Sequence, residues 1–206
     1  MNPPPLIYVI VYAAFVSLGL PDGALGVAWP SMRAELGRPL EALGLVTILG
    51  TVGSALSGFA SGRVLARLGT PRVVLLSGLL TGISLMGFAF AGSYPAVILL
   101  ALPLGFGAGS VDAGLNHYAA ERFASRHMNW LHASWGIGAT MGPLAVTAAV
   151  AAGKGWRGGY AAISIAQLAL SALFLATLGQ WKRAPAGQAG QARPAGPARP
   201  AGPERS

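Results

Sequence analysis

The chain has 206 residues, of which 53% are hydrophobic and only 10% are charged, and its formal net charge is +8. A soluble domain carries about 25% charged residues, so this composition excludes an ordinary water-soluble globular protein. The chain has no cysteine, which excludes disulfides and thiolate metal sites. No cofactor and no metal ion are expected.

Six apolar segments are each long enough to cross a bilayer as a helix, which takes about 20 residues. None shows the apolar–polar alternation of a membrane β-barrel strand. The sequence therefore predicts an all-α membrane protein, with a six-helix transmembrane bundle in residues 1–183. In chain order the spans are Leu6–Trp29, Leu40–Gly62, Arg72–Gly92, Pro95–Tyr118, Asn129–Ala152 and Gly158–Gln180.

The basic residues are distributed unevenly between the two sides of this bundle. With a cytoplasmic N-terminus, the inner side carries ten Lys and Arg residues and the outer side four, as the positive-inside rule requires. The first span lacks the basic n-region and cleavage site of a signal peptide. We expect a multi-pass protein of the plasma membrane, which in a bacterium is the inner membrane. Both termini would be cytoplasmic, and no nucleic-acid partner is expected.

Residues 184–206 differ in composition from the spans. They consist almost entirely of Ala, Pro, Gly, Gln and Arg, and they contain ARPAGP twice in tandem. Such a segment buries too little apolar surface to offset the entropy lost on ordering. A disordered cytoplasmic tail is predicted.

One short pattern occurs in both the first and the fourth span. Gly-x-x-Asp-x-x-Leu stands at 19–25 and again at 109–115, ninety positions later. These two spans would cross the membrane in opposite directions. The chain would then consist of two inverted three-helix repeats, an arrangement found in secondary transporters.

Asp22 and Asp112 are the only acidic residues in the interiors of the predicted spans; Glu41 is the second residue of its span. A charged Asp at the centre of a lone membrane helix costs about 2.5–3.5 kcal/mol, and no Lys or Arg lies in a span interior to neutralise it. Burial without a cationic partner favours the protonated form, which suits reversible proton binding. Asn116 follows Asp112 on the same helical face, and Trp29 follows Asp22 on its face as a possible aromatic wall for a ligand. The structural alternative for Asp22 is the cap of a helix that breaks beside Pro21.

Small residues recur at every fourth position in the second and the fifth span. Rows of this kind let helix backbones approach closely in lipid, so both rows are predicted helix-packing faces. The rows are Gly50, Ser54, Gly58 and Gly62 in the second span, and Ser134, Gly138 and Gly142 in the fifth.

The segment GRVLARLGTPR, residues 62–72, resembles the cytoplasmic loop motif of the major facilitator superfamily, Gly-x-x-x-Asp-Arg-x-Gly-Arg-Arg/Lys. Gly62, Arg67 and Gly69 match directly, Arg72 keeps a basic charge two places late, and Ala66 replaces the aspartate. In the family that aspartate helps to latch the two halves of the transporter. The resemblance therefore implies a gating loop that has lost its acid.

Three further stretches, LGLPDGALGVAWP, GAGSVDAGLNHYAA and MNWLHASWGIGATMGP, resemble helices 1, 4 and 5 of the fucose-permease-like, sugar-transporting branch. The resemblance covers residues 6 to about 183 and implies one half of a twelve-helix fold with its solute at the midplane between two six-helix bundles. It implies roles for Asp22 and Asp112 in proton coupling and sugar recognition, and for Asn116 in hydrogen bonding to sugar hydroxyls.

The resemblance also implies a partner, because six spans are half of the family's fold. A second six-helix bundle would come from a second copy of the chain, as a homodimer, or from a separate polypeptide with the C-terminal half. Helices 2 and 5 line the contact between halves in the family, so the small-residue rows are expected to receive that bundle.

Together these features predict a half-size or truncated secondary transporter that takes up a sugar or a similar small polar solute with protons by alternating access. Two alternatives stay open: a non-transporting or inactive membrane subunit, and a drug/proton antiporter-like efflux protein. An enzyme is not expected. The three histidines lie near one end of spans 4 and 5, and no mid-membrane serine stands beside them in a Gly-x-Ser-x-Gly turn.

Overall fold

The computed structural model describes residues 4–181, which form helices and no β-strand. Six long helices follow one another: α1 (Pro5–Glu35), α2 (Leu43–Leu68), α3 (Thr70–Phe90), α4 (Tyr94–Arg122), α5 (Ser125–Ala151) and α6 (Gly155–Thr177). Short 3₁₀ turns precede α2 at Leu40–Ala42 and follow α6 at Leu178–Gln180. All six helices are long and apolar enough to cross a membrane, so the predicted all-α, six-span architecture is confirmed. The predicted tail, residues 184–206, lies outside the described residues.

Several helices extend beyond the predicted spans. α1 continues to Glu35, and it contains both Pro21 and Pro30 in its interior. Neighbouring helices and local adjustments satisfy the backbone groups that a proline frees in a membrane helix. Asp22 therefore does not cap a broken helix end, and that structural alternative is wrong.

Two pairs of inner helices cross at close range, and the pairs are equivalent in the two repeats. α1 packs on α5 where Gly19 lies against the backbone of Trp135, and α4 packs on α2 where Gly109 lies against Ser54. Gly19 and Gly109 are the glycines of the repeated pattern. A Cβ atom on either glycine would overlap the facing helix, so the pattern supplies the same close crossing twice.

The outer helices α3 and α6 pack against each other through buried polar groups. Gln167 of α6 is only 4% exposed; its Oε1 accepts a hydrogen bond from Ser17 of α1 at 2.6 Å, and its Nε2 donates to the carbonyl of Gly78 on α3 at 3.5 Å. Ser164 donates to the carbonyl of Gly82 at 2.7 Å. Hydrogen bonds of this kind join membrane helices where no hydrophobic driving force acts between them. They fix the outer wall behind the inner four helices.

We call the end of the bundle at which α1 begins the proximal end, and the opposite one the distal end. At the distal end Glu35 accepts hydrogen bonds from Trp156 Nε1 and Arg157 Nη1, both at 2.7 Å. Arg157 also donates to the carbonyl of Ala91, just after α3. These contacts tie the distal ends of α1, α3 and α6 together.

Aromatic contacts dominate at the proximal end. Tyr8 of α1 stacks on Phe123, which joins α4 to α5, with ring centroids 4.2 Å apart. The Tyr12 hydroxyl lies 2.9 Å from Nδ1 of His127, within hydrogen-bond distance. The start of α1 is thereby held against the α4–α5 connection.

Candidate functional site

A cavity of about 690 Å³ lies between α1, α2, α4 and α5. Asp22 and Asp112 both line it, so the two aspartates of the repeated pattern face one space. Phe88 of α3 and Tyr160 of α6 reach the cavity from the outer helices, and their ring centroids lie 5.2 Å apart. Its volume lies within the range of about 300–1,000 Å³ usual for small-molecule sites.

The rest of the cavity wall is mostly aliphatic. Its serine and threonine hydroxyl groups come from one helix, α2, which contributes Thr47, Thr51 and Ser54. A molecule in the cavity would therefore meet carboxylates from α1 and α4, hydroxyls from α2 and apolar surface elsewhere.

Asp22 is exposed and hydrogen-bonded to a neighbouring helix. Trp135 of α5 donates from its indole Nε1 to Asp22 Oδ2 at 3.1 Å. The two helices come this close because Gly19 and Gly23 of α1 lie against the α5 backbone. Trp135 is 43% exposed and lines the cavity, so it sets an aromatic ring beside a carboxylate.

Asp112 is exposed as well, but its hydrogen bond stays on its own helix. Asn116 Nδ2, one turn further along α4, donates to Asp112 Oδ1 at 2.9 Å. The Oδ1 atom of Asn116 is buried and has no hydrogen-bond partner within residues 4–181. Asp112 thus has an amide beside it on its own helix, and the unpaired Oδ1 of that amide can still accept a hydrogen bond.

The cavity contains carboxylates and no basic side chain. Its described lining includes no Lys or Arg, and the ion pair between Arg157 and Glu35 lies at the distal end. Asp22 and Asp112 both line this space. Two like charges in one partly desolvated space are unfavourable, so the site favours a proton or a cationic group near them.

Trp29 does not belong to this site, and its predicted role as an aromatic wall is wrong. It is 1% exposed, its Nε1 donates to the carbonyl of Leu40 at 3.1 Å, and its ring packs beside Tyr94. Its spacing from Asp22 predicts the helical face correctly. Two turns further along α1, however, that face is covered by the turn before α2. Trp135 of α5 supplies the aromatic wall instead. The spacing of residues along α1 does not indicate that α5 contacts Asp22.

The small-residue row of α5 packs inside the bundle. Gly138 lies against the carbonyl of Val16 and Gly142 against that of Leu20, both on α1, and Ser134 is buried in the same row. The expectation that this row receives a second bundle is therefore wrong, because α1 covers it.

The row of α2 is divided. Gly50 contacts Gly105 of α4, and Ser54 contacts Gly109. A Cβ added at Gly58 or Gly62 would meet open space. The described contacts thus assign the first half of this row to α4 and leave the second half without a packing partner in residues 4–181.

The loop motif lies at the proximal end, where one residue connects α2 to α3. Gly69 has φ +76°, a left-handed conformation that favours glycine. Arg67 and Arg72 are exposed on either side of it, as is Ala66. The backbone conformation of the junction therefore explains why a glycine stands at position 69. The gating role of the arginines stays a prediction.

A family model described as "Major Facilitator Superfamily" matches residues 11–203. The match includes α1 from residue 11 onward, the other five helices, both Gly-x-x-Asp patterns and the α2–α3 junction. A search of curated proteins returned no match. Members of the matched family are typically membrane transporters, and the six described helices have the architecture of half of such a fold. The chain is therefore a multi-pass membrane protein that belongs to the major facilitator superfamily.

Proposed function

We propose that the chain is a proton-coupled secondary transporter that takes up a small polar solute, with a sugar as the first candidate, by alternating access. One observation supports this most directly: Asp22 and Asp112 stand at repeated positions on α1 and α4 and share one cavity without a basic residue in its described lining. Ionisable groups inside a membrane protein mark proton or substrate pathways. The sugar rests on the resemblance to the fucose-permease-like branch.

The chemistry of the cavity fits this coupling. A protonated carboxyl donates and accepts hydrogen bonds, whereas an ionised carboxylate only accepts. Proton uptake at Asp22 or Asp112 therefore changes which solute groups the cavity can bind. The exposed ring of Trp135 would cover the apolar face of a sugar ring. Asn116 is outside the cavity lining, and its proposed hydrogen bonds to hydroxyl groups rest on the resemblance to the fucose-permease-like branch.

A second six-helix bundle, from another copy or a separate chain, is proposed to close the open cavity. Because α1 covers the small-residue row of α5 and α4 covers the first half of the row of α2, the contact would use the outward faces of α2 and α5. Both faces carry exposed apolar side chains at helical spacing: Leu45, Ile48, Val52 and Leu56 on α2, and Ile137, Met141 and Leu144 on α5.

Disulfide crosslinking tests this partner without background, since the chain has no cysteine. In a homodimer each copy carries the introduced cysteine, so Ile48→Cys and Ile137→Cys are expected to crosslink between copies in membranes. Ile165→Cys, exposed on the outer helix α6, is the matched control and is expected not to crosslink. Monomeric behaviour of all three variants would contradict the proposed contact.

The orientation proposed for the bundle places the proximal end in the cytoplasm of a bacterial cell, with the inner membrane as the expected location. Five described arginines lie at that end, which is the arrangement that the positive-inside rule favours. They are Arg63, Arg67, Arg72, Arg122 and Arg126. Labelling of single cysteines from outside intact cells would test it: Ala124→Cys should be protected and Gly153→Cys should react.

One feature of the cavity favours a second candidate function, drug/proton antiport. Apolar walls, two carboxylates and an exposed Trp135 also fit an amphipathic organic cation, which binds aromatic faces and acids alike. Such a cation would displace the protons from Asp22 and Asp112, and the transport direction would be reversed.

Proteoliposomes with an imposed pH gradient test the function. We expect the gradient to drive accumulation of a labelled neutral hexose, and we expect Asp112→Asn or Asp22→Asn to reduce it at least tenfold. Glu121→Gln is the matched control, because Glu121 pairs with His117 at the proximal end, away from the cavity.

The outcomes separate the candidate functions. Gradient-driven movement of ethidium instead of hexoses would favour the antiporter. Hexose uptake whose rate changes neither with the pH gradient nor with Asp112→Asn would contradict proton coupling. Absence of any transport, with the second bundle present, would identify a non-transporting subunit.

A further inference from the structure

Three arginines cluster where α2 ends and α3 begins. Arg63 and Arg67 are four residues apart on α2 and so share one helical face. Arg72 is the third residue of α3, just beyond the junction at Gly69. All three are exposed. Like charges at this spacing repel each other, so the cluster is favourable only with anions close by.

No carboxylate within residues 4–181 pairs with these arginines. Glu121, the acidic residue of the described proximal end, pairs with His117 at 3.4 Å. Ala66 stands among the arginines, three residues after Arg63, and offers no charge. The distal end differs, since Arg157 there is paired with Glu35.

The cluster lies at the depth of the lipid headgroups. The α2 segment from Leu43 to Gly62 is uncharged, and its length of about 20 residues spans the ~30 Å hydrocarbon layer. On α3 the uncharged segment from Val73 to Phe90 follows Arg72 directly. The three guanidinium groups therefore come at the boundary between hydrocarbon and headgroups, where lipid phosphates lie. A guanidinium binds phosphate oxygens in a bidentate manner.

We propose that Arg63, Arg67 and Arg72 form a binding site for the headgroup of an anionic phospholipid. The lipid phosphate supplies a negative charge beside the arginines, where the side chain of Ala66 is uncharged. A lipid fits better than soluble phosphate because the acyl chains can lie along the apolar surfaces of α2 and α3 while the phosphate meets all three arginines. The site is separate from the cavity and does not depend on whether the cavity transports a solute.

Native mass spectrometry of the full chain in detergent tests the site, with dioleoyl-phosphatidylglycerol and dioleoyl-phosphatidylcholine as probes. We expect the anionic lipid to bind at least tenfold more tightly than the zwitterionic one. Each arginine near an anionic lipid contributes about fivefold, so Arg63→Gln/Arg67→Gln should weaken phosphatidylglycerol binding by about tenfold or more. Binding of phosphatidylcholine should not change.

Two further variants sharpen the test. Arg33→Gln/Arg38→Gln removes the same charge from the distal end and is expected to change the affinity less than twofold. Ala66→Asp places a carboxylate beside Arg63 and Arg67 and is expected to weaken phosphatidylglycerol binding severalfold without removing an arginine.

Three results would overturn the proposal. The first is equal loss of affinity in the proximal and distal double variants. The second is full affinity in Arg63→Gln/Arg67→Gln. The third is displacement of the lipid by an equimolar amount of inorganic phosphate, which would identify a site for a free anion.

Discussion

Asp22 and Asp112 occupy the same position in the two repeats, yet their hydrogen bonds differ in kind. Asp22 is bonded across helices, to Trp135 of α5, whereas Asp112 is bonded to Asn116 on its own helix. Movement of α1 relative to α5 breaks the first bond and leaves the second intact. The repeat therefore decides where each carboxylate lies, and the neighbouring residues decide which of the two responds to helix movement.

The same contrast occurs one turn away, where the inner helices meet the outer ones. At the α1–α6 contact Ser17 donates to Gln167. The positions ninety residues away are Gly107 of α4 and Ser77 of α3, and here Gly107 lies against the backbone of Ser77. One of these two equivalent contacts thus uses a polar pair, and the other uses close backbone packing.

The largest effect is expected at the glycines of the inner crossings. Gly138→Val at the α1–α5 crossing and Gly105→Val at the α2–α4 crossing would each set a side chain against a backbone carbonyl, that of Val16 or that of Gly50. Backbone cannot move aside as a side chain does, so each variant should lose about 3 kcal/mol or more of stability. Thermal unfolding in detergent, followed by tryptophan fluorescence, measures both.

Gly58→Val is the control for these variants, since a Cβ at Gly58 meets open space. It should stay within about 0.5 kcal/mol of the parent. Equal losses at Gly138 and Gly105 would show that both crossings contribute alike. A Gly138→Val protein as stable as Gly58→Val would contradict the close α1–α5 crossing on which the position of Trp135 depends.

A smaller effect is expected from the hydrogen bonds of the two aspartates. Trp135→Phe keeps an aromatic ring in the cavity but removes the donor to Asp22, and it should cost about 1 kcal/mol because the carboxylate is solvent-exposed. Asn116→Ala should cost less, since it also removes a buried oxygen that lacks a partner. Unfolding midpoints of the two variants give the comparison.

Trp130→Phe is the matched control for the tryptophan, being 66% exposed on the same helix and outside the cavity lining. It should leave both stability and uptake unchanged. An Asn116→Ala protein less stable than Trp135→Phe would reverse the proposed difference between the aspartates.

The parts of this molecule that depend on local sequence could be predicted. Hydropathy identifies the six spans because each helix must be apolar along its own length. The Gly-x-x-Asp pattern identifies both carboxylates of the cavity, since a glycine one turn before an aspartate sets the crossing and the acid on one helix. The positive φ of Gly69 likewise follows from the abrupt change of direction between two long spans.

The choice of neighbour could not be predicted. Periodicity shows that the faces of Gly138 and Gly142 come close to another helix, but it does not say that the helix is α1. It places Trp29 on the face of Asp22 without showing what covers that face. Trp135 stands 113 positions from Asp22, so its role depends entirely on how α5 docks. Sequence spacing describes single helices, and the site is made of contacts between them.

The smallest expected effect concerns the polar pair behind the site. In a double-mutant cycle, Ser17→Ala and Gln167→Ala should be coupled by about 0.6 kcal/mol, and by no more than about 1.7 kcal/mol, the range found for hydrogen bonds between membrane helices. The bond is buried, with both side chains below 9% exposure, but the loss is limited because the Ser17 hydroxyl proton can turn to the Ala14 carbonyl and Gln167 Nε2 also donates to Gly78.

The equivalent pair at the α3–α4 contact supplies the comparison for this cycle. Gly107→Ala combined with Ser77→Ala should show coupling close to zero, because Gly107 contacts the Ser77 main chain and not its hydroxyl. Each single change can be measured in the same unfolding assay, and only the coupling term distinguishes the two contacts. Coupling at the α3–α4 contact as large as at the α1–α6 contact would mean that the polar pair contributes nothing beyond packing, and the asymmetry between equivalent positions would then be confined to the two aspartates.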